Sequence, residues 1–121
     1  MIGYVTIGTN DLEKAKAFYD KVLVGLGGKR GMTNERMQGY RGGAGAMLMV
    51  CTPYDGGKAA SGNGPMVALT APSREVVDQV HKDALANGGK DEGAPGDRGG
   101  GFYGAYFRDL DGNKVCVFKM G

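Results

Sequence analysis

Few residues in this chain are of types that do chemistry, and their spacing excludes more than it supports. There is one histidine, His81. It falls in a helical stripe between Val77 and Leu85, and no His/Glu set or facial triad can be assembled around it. The two cysteines, Cys51 and Cys116, have no metal-type spacing. A nucleophilic cysteine needs a base or a cation to lower its pKa, and Cys116 has no such sequence neighbour, so it reads as an inert buried thiol. Asp109-Leu110-Asp111-Gly112 lacks the later ligands and the closing Glu of a calcium loop, and is read as a turn. Gly99-Gly100-Gly101 lacks the Lys and Ser/Thr of a phosphate loop. Beside it, Arg98 could pair with a carboxylate or phosphate, or remain a solvated loop charge. Tyr103, on the other flank, could close over a ligand. Arg36 and Arg41 carry the same ambiguity as Arg98.

Length and charge set the bounds on what could position these residues. At 121 residues the chain is expected to form one domain, 1–121, burying about two-thirds of its unfolded surface without needing disulfides or structural metals. The 15 basic and 13 acidic residues are interspersed and leave a net charge of +2. No basic run suggests a nucleic-acid partner or a membrane surface, and no apolar stretch approaches the ~20 residues of a span. The start, Met1 to Ile7, alternates like a strand and lacks the features of a signal peptide. Two unpaired thiols then point to a reducing, cytoplasmic setting. The 24 glycines mostly punctuate apolar segments, as turns and helix stops. Asp55 to Gly64 and Gly93 to Gly101 are expected to be the mobile stretches.

The elements repeat. Tyr4-Val5-Thr6-Ile7 alternates as a strand, Asn10 offers an N-cap with Glu13 three residues on, and Leu12, Ala15, Tyr19, Val22, Leu23 and Leu26 recur at helical spacing until Gly27-Gly28. In the second half Val67-Ala68-Leu69 is a strand and Ser73 an N-cap. Val76, Val77, Val80, Ala84 and Leu85 form a helix stripe, and Gly88-Gly89 a stop. The caps are offset by 63 residues and the stops by 61, which indicates a duplicated unit. Strands follow each helix: about 29–32, 36–41 and 44–51, then a weak one near Lys90, 102–108 and 114–120. Thr33-Asn34 and Asp111-Gly112 are hairpin turns between them. The fold class is α+β, with two βαβββ modules: module one 1–52, a linker 53–64, and module two 65–121. One helix covers only one face of a four-stranded sheet, so the other face must line a cleft or be buried elsewhere.

The whole chain resembles the vicinal oxygen chelate superfamily, which includes glyoxalase I, extradiol dioxygenases, fosfomycin-resistance enzymes and bleomycin-binding proteins. The resemblance rests on Ile2 to Tyr19, similar to the opening strand and its N-D-L-x-x-A-x-x-F-Y helix, and on Phe107 to Val115, similar to F-x-D-P-D-G-N-x-V with Leu110 in place of Pro. Gly93 to Arg98 and Tyr103 to Phe107 resemble a bacterial glyoxalase-like branch. The resemblance implies a curved mixed sheet around a shared cleft, and a homodimer, sometimes with swapped modules. It also implies four inward positions that hold His, Glu or Gln around a divalent ion in the metal-dependent members. Those positions fall here on Tyr4, Met49, Met66 and Cys116. None suits that ion, so no metal and no cofactor is expected. Met49, Met66 and Cys116 are types that would suit Cu(I), but ordinary cavity lining is the commoner role of such side chains.

Strand alternation places Ile2, Tyr4 and Thr6, Met49, Met66 and Ala68, and Cys116 and Phe118 on the cleft side. With Tyr103 and Arg98 at its mouth, the expected ligand site comprises Tyr4, Met49, Met66, Cys116, Phe118, Tyr103 and Arg98. Such an apolar, sulfur-rich, aromatic cleft suits a flat, partly apolar small molecule. Three function classes remain: a metal-independent binding protein of the sequestering type, a metal-free lyase or isomerase of the same superfamily, and an interaction module without a ligand. The slightly basic charge argues against bleomycin itself as the ligand.

Overall fold

The computed structural model describes all 121 residues. The alternating start forms β1 (Tyr4–Gly8), followed by α1 (Leu12–Val22) and a short 3-10 turn (Val24–Leu26). Three strands complete the first module: β2 (Lys29–Thr33), β3 (Met37–Arg41) and β4 (Met47–Cys51). The second module repeats the order with β5 (Val67–Thr70), α2 (Arg74–Ala86), β6 (Lys90–Asp97), β7 (Phe102–Arg108) and β8 (Lys114–Met120). Each module makes one four-stranded mixed sheet, β1-β4-β3-β2 and β5-β8-β7-β6, and the two sheets share no hydrogen-bonded strand pair. In each, the first strand runs parallel to the last and the rest are antiparallel.

Two local expectations are corrected. The cap of α1 is Asp11, whose Oδ1 accepts the backbone N–H of Lys14, one residue later than Asn10. Asn10 instead exchanges two hydrogen bonds with the backbone of Ala59, pinning the connection between modules to the start of α1. Ser73 caps α2 as its sequence suggests. The weak strand near Lys90 is eight residues long, and Gly93 to Asp97, read as loop, belongs to it. Two register shifts against β7 let this glycine-rich strand stay paired, which is how bulges accommodate extra residues.

Both modules turn their helix-bearing faces into one core. Phe18, Tyr19 and Val22 of α1 and Val77, Val80 and Ala84 of α2 pack with Tyr40, Leu48 and Val50 of the first sheet and with Ala105, Phe107, Val115 and Val117 of the second. The Phe18 and Phe107 rings meet across the two modules at 6.2 Å. His81 is buried on α2 with its Nε2 3.0 Å from Asp91, a structural contact between helix and β6.

The turn Asp109-Leu110-Asp111-Gly112-Asn113 locks the halves together. The Asp109 carboxylate accepts four hydrogen bonds, from the Tyr19 hydroxyl at 2.6 Å, from the backbone N–H groups of Asp111 and Asn113, and from the Asn113 amide. Asn113 donates in turn to the Gly8 carbonyl at the end of β1, and Asp111 accepts from the backbone of Asn10. Gly112, at φ +84°, turns the chain where a side chain would strain it. Burial, with the nearby Asp109 carboxylate, holds the Tyr19 hydroxyl well above its usual pKa, so it stays a donor. Asp109→Ala should lower the unfolding free energy by about 3 kcal/mol, because it leaves the buried Tyr19 hydroxyl and the Asn113 backbone N–H without partners. Tyr19→Phe should cost about half as much. Urea unfolding measures both, and a loss below about 1 kcal/mol for Asp109→Ala would mean that the turn does not carry the link between modules.

Candidate functional site

The faces turned away from the helices carry the candidate site. Cross-strand register sets their membership, because paired residues share a face. On the first sheet Tyr4 pairs with Met47, Thr6 with Met49, Gly39 with Met49, and Met37 with Cys51. These side chains line an open pocket of about 700 Å³, joined by Met32 and Tyr54, and every residue lining it belongs to the first half of the chain. Five of its lining residues carry sulfur. Gly39 makes this possible: a Cβ there would lie 2.7 Å from the Met49 sulfur and 2.8 Å from that of Met47, so both thioethers rest on bare backbone. Tyr4 is 62 % exposed and Tyr54 90 %, leaving two aromatic faces open above the sulfur floor. The Arg36 guanidinium lies 5.3 Å from the Tyr54 ring and donates to the Thr52 carbonyl, which fixes the rim of this pocket.

On the second sheet the same register rule collects Phe102, Tyr106, Lys114, Cys116 and Phe118. Phe102 and Phe118 are stacked, with centroids 5.0 Å apart and planes 11° off parallel. Arg98 and Lys114 both lie within 5.5 Å of the Tyr106 ring centroid. Cys116 is buried between these groups. Burial pushes its thiol pKa up, although Tyr106, Arg98 and Lys114 pull the other way, so at neutral pH it is a protonated thiol and not a nucleophile.

The structure therefore groups the expected site residues differently from the sequence reading. Tyr4 and Met49 come together on the first sheet, and Arg98, Cys116 and Phe118 on the second. Met66 joins neither group. It precedes β5 and lines a separate apolar cavity of about 800 Å³ at the seam between modules, with Ile2, Val5, Leu48, Val67 and Leu69. Tyr103 faces the opposite way. Its hydroxyl donates to Asp78 on α2 at 2.6 Å and the Arg74 guanidinium lies 4.8 Å from its ring, so it packs under the helix and is not placed to close over a cleft. The hydrogen bond to Asp78 raises its pKa. Alternation along β7 accounts for this, since Ala105 and Phe107 are core residues and Tyr103 shares their face. The same rule would have found Tyr106. Met32 and Met37 carried no comparable signal, because only register brings them beside Cys51 and Met49.

The donor chemistry at Tyr4, Met49, Met66 and Cys116, the four positions that the resemblance marks for an ion, is phenol, two thioethers and a protonated thiol. No three His, Cys, Asp or Glu side chains converge on a common point. These residues do not fit a divalent ion that needs hard or borderline N and O ligands. Nor does the softer set of Met49, Met66 and Cys116 form, since each lies on a different surface.

A family model, the Glyoxalase/Bleomycin resistance protein/Dioxygenase superfamily, matches residues 1–117, and the chain belongs to that superfamily. The fold agrees. A glyoxalase/bleomycin resistance protein from Albidiferax ferrireducens T118 is 40 % identical, with a TM-score of 0.91, over 100 % of this chain and 99 % of that one. A lactoylglutathione lyase from Agrobacterium tumefaciens (23 % identity, TM-score 0.73, 98 % and 92 % coverage) shares the fold. So does TioX from Micromonospora sp. ML1 (18 %, TM-score 0.71, 100 % and 99 %). No curated protein matches the chain. No helix is long and apolar enough to cross a membrane.

The two thiols should differ in reactivity. At neutral pH a small thiol reagent is expected to modify half-exposed Cys51 well before buried Cys116, which should react only on unfolding. Mass spectrometry of the labelled peptides reads the order, and equal rates would refute the buried, protonated state of Cys116.

Proposed function

We propose that this chain is a metal-independent small-molecule-binding member of its superfamily, which sequesters a flat, partly apolar drug or metabolite. The observation that carries this reading is the lining of the first free face. Five sulfur-bearing residues and two exposed tyrosines surround about 700 Å³. Thioethers are polarisable and adapt their shape, and aromatic rings favour planar partners, so the surface is chemically matched to such a ligand. Nothing on it is set up to move a proton or attack a carbon, which favours binding over lyase or isomerase chemistry. Two free thiols are consistent with a reducing, cytoplasmic setting.

The cleft is completed, on this reading, by a second copy of the chain. Of the four sheet edges, two are guarded. β2 carries Lys29, Arg30 and a register shift, and β6 carries charges, Pro95 and two register shifts. The edges of β1 (YVTIG) and β5 (VALT) have no charge, proline or bulge, and are flanked by exposed Ile2 and Met66. Unguarded edges beside apolar side chains are what a pairing partner covers. A homodimer that joins them would bring the first free face of one protomer near the second free face of its partner.

Sedimentation of the native chain should give a dimer at micromolar concentration, and Ala68→Lys, which puts a charge on exposed β5, should give a monomer. A monomeric native protein would remove the shared cleft. Native mass spectrometry of gently purified protein should show an organic adduct that is lost on denaturation, and no stoichiometric divalent metal. A stoichiometric metal would overturn the metal-independent reading.

A further inference from the structure

Arg98 is laid onto the free face of the second sheet rather than left in solvent. Its two terminal nitrogens donate to the carbonyls of Gly96 (2.9 Å) and Ala94 (2.8 Å). The guanidinium lies flat across β6 where that strand has no side chains. A Cβ at Gly96 would sit 2.9 Å from one terminal nitrogen, and a Cβ at Gly93 would sit 3.3 Å from the other. Glycine inside a strand weakens it, and here two glycines make the room this arginine needs. Two of its five N–H donors are used by those carbonyls, which leaves three.

The acids nearby are committed elsewhere. Asp91 is held by His81 and the backbone of Gly93, Glu92 by Arg108, and Asp97 by Arg74 and the backbone of Gly99. Arg98 makes no ion pair, and neither does Lys114. Lys114 acts on Glu92 only through space, since Glu92 is bonded to Arg108. The Arg98 guanidinium carbon and the Lys114 Nζ lie 5.4 Å and 5.5 Å from the centroid of the Tyr106 ring, whose electrons offset part of their mutual repulsion. Next to them, the stacked Phe102 and Phe118 rings offer a flat apolar surface.

We propose that this face recognises the anionic group, a carboxylate or a phosphate, of a flat aromatic ligand, with Arg98 and Lys114 as its cationic partners and the Phe102–Phe118 pair as its platform. The inference rests on the small-molecule reading and adds the charge of the ligand to it. A pre-positioned guanidinium with free donors and no internal counter-ion gains a charge-assisted hydrogen bond from such a group without giving one up. An uncharged isostere of that group would gain less.

The test uses naphthalene-carboxylate and its uncharged amide as an isosteric pair, titrated calorimetrically into the native full-length protein. The carboxylate should bind about tenfold more tightly than the amide, a preference that shrinks as salt is raised. Arg98→Met should abolish that preference. Lys114→Met, which leaves the glycine-lined strand untouched, should reduce it. Lys82→Met, on the exposed side of α2, should change neither affinity. Equal affinities for the two probes in the native protein would overturn the anion site and leave the apolar cleft standing, as would a preference that survives both substitutions. Failure of both probes to bind would remove the small-molecule reading together with this inference.

Discussion

The buried carboxylate of Asp109 is the constraint on which the rest of the arrangement depends. It is a charged group in the interior, and such a group is tolerated only when its acceptor sites are filled. Four donors fill them, one from α1 of the first module and three from the turn of the second. Because Tyr19 also packs against Phe18 and Tyr40, that single polar cluster fixes where the first helix sits relative to the second sheet. Asn113 extends the cluster to the end of β1, and Asn10 extends it to the chain between modules. The apolar core could accept small slips between the two halves. A hydrogen-bonded carboxylate could not.

Docking the modules through their helix-bearing faces settles what becomes of the other faces. A four-stranded sheet has two faces, and one helix can bury only one of them. In this chain the shared core takes the covered faces, so the sulfur-lined and cation-bearing surfaces both lie outside it. Their contrast is chemical. The first is soft, apolar and adaptable. The second holds two cations, an aromatic stack and a thiol kept neutral by burial. Placed together, they would match a ligand with a flat apolar body and a negatively charged end.

Glycine is the means by which both surfaces are shaped. Within strands it is usually a cost, since it adds backbone entropy and contributes no packing. At Gly39 the missing side chain lets two methionine sulfurs settle on the backbone, and at Gly93 and Gly96 it lets a guanidinium do the same. A composition of 24 glycines thus reflects a site built by removing side chains as well as the turns and helix stops of an economical fold.

The sequence by itself determined the modular plan. The alternation of Tyr4 to Ile7, the helical stripes, the glycine stops and the Asp109 to Asn113 turn are local patterns, each written within one or two turns of chain, and they specified the two βαβββ units. It also supplied the side-chain types at the positions that the family resemblance marks, because residue identity needs no coordinates. Local alternation correctly put Tyr4, Met49, Cys116 and Phe118 on the faces away from the helices. Tyr103 was misplaced because its role was inferred from a neighbouring loop, not from the phase of its own strand. Only tertiary structure decided which of these residues meet. Register against a partner strand, not sequence distance, brought Met37 to Cys51 and Tyr106 to Cys116. Strand pairing within each module placed Tyr4 and Cys116 on separate sheets, and the folding back of Arg98 over two glycines turned an apparent loop charge into part of a surface. Those outcomes depend on contacts between segments far apart in the chain, and no local periodicity encodes them.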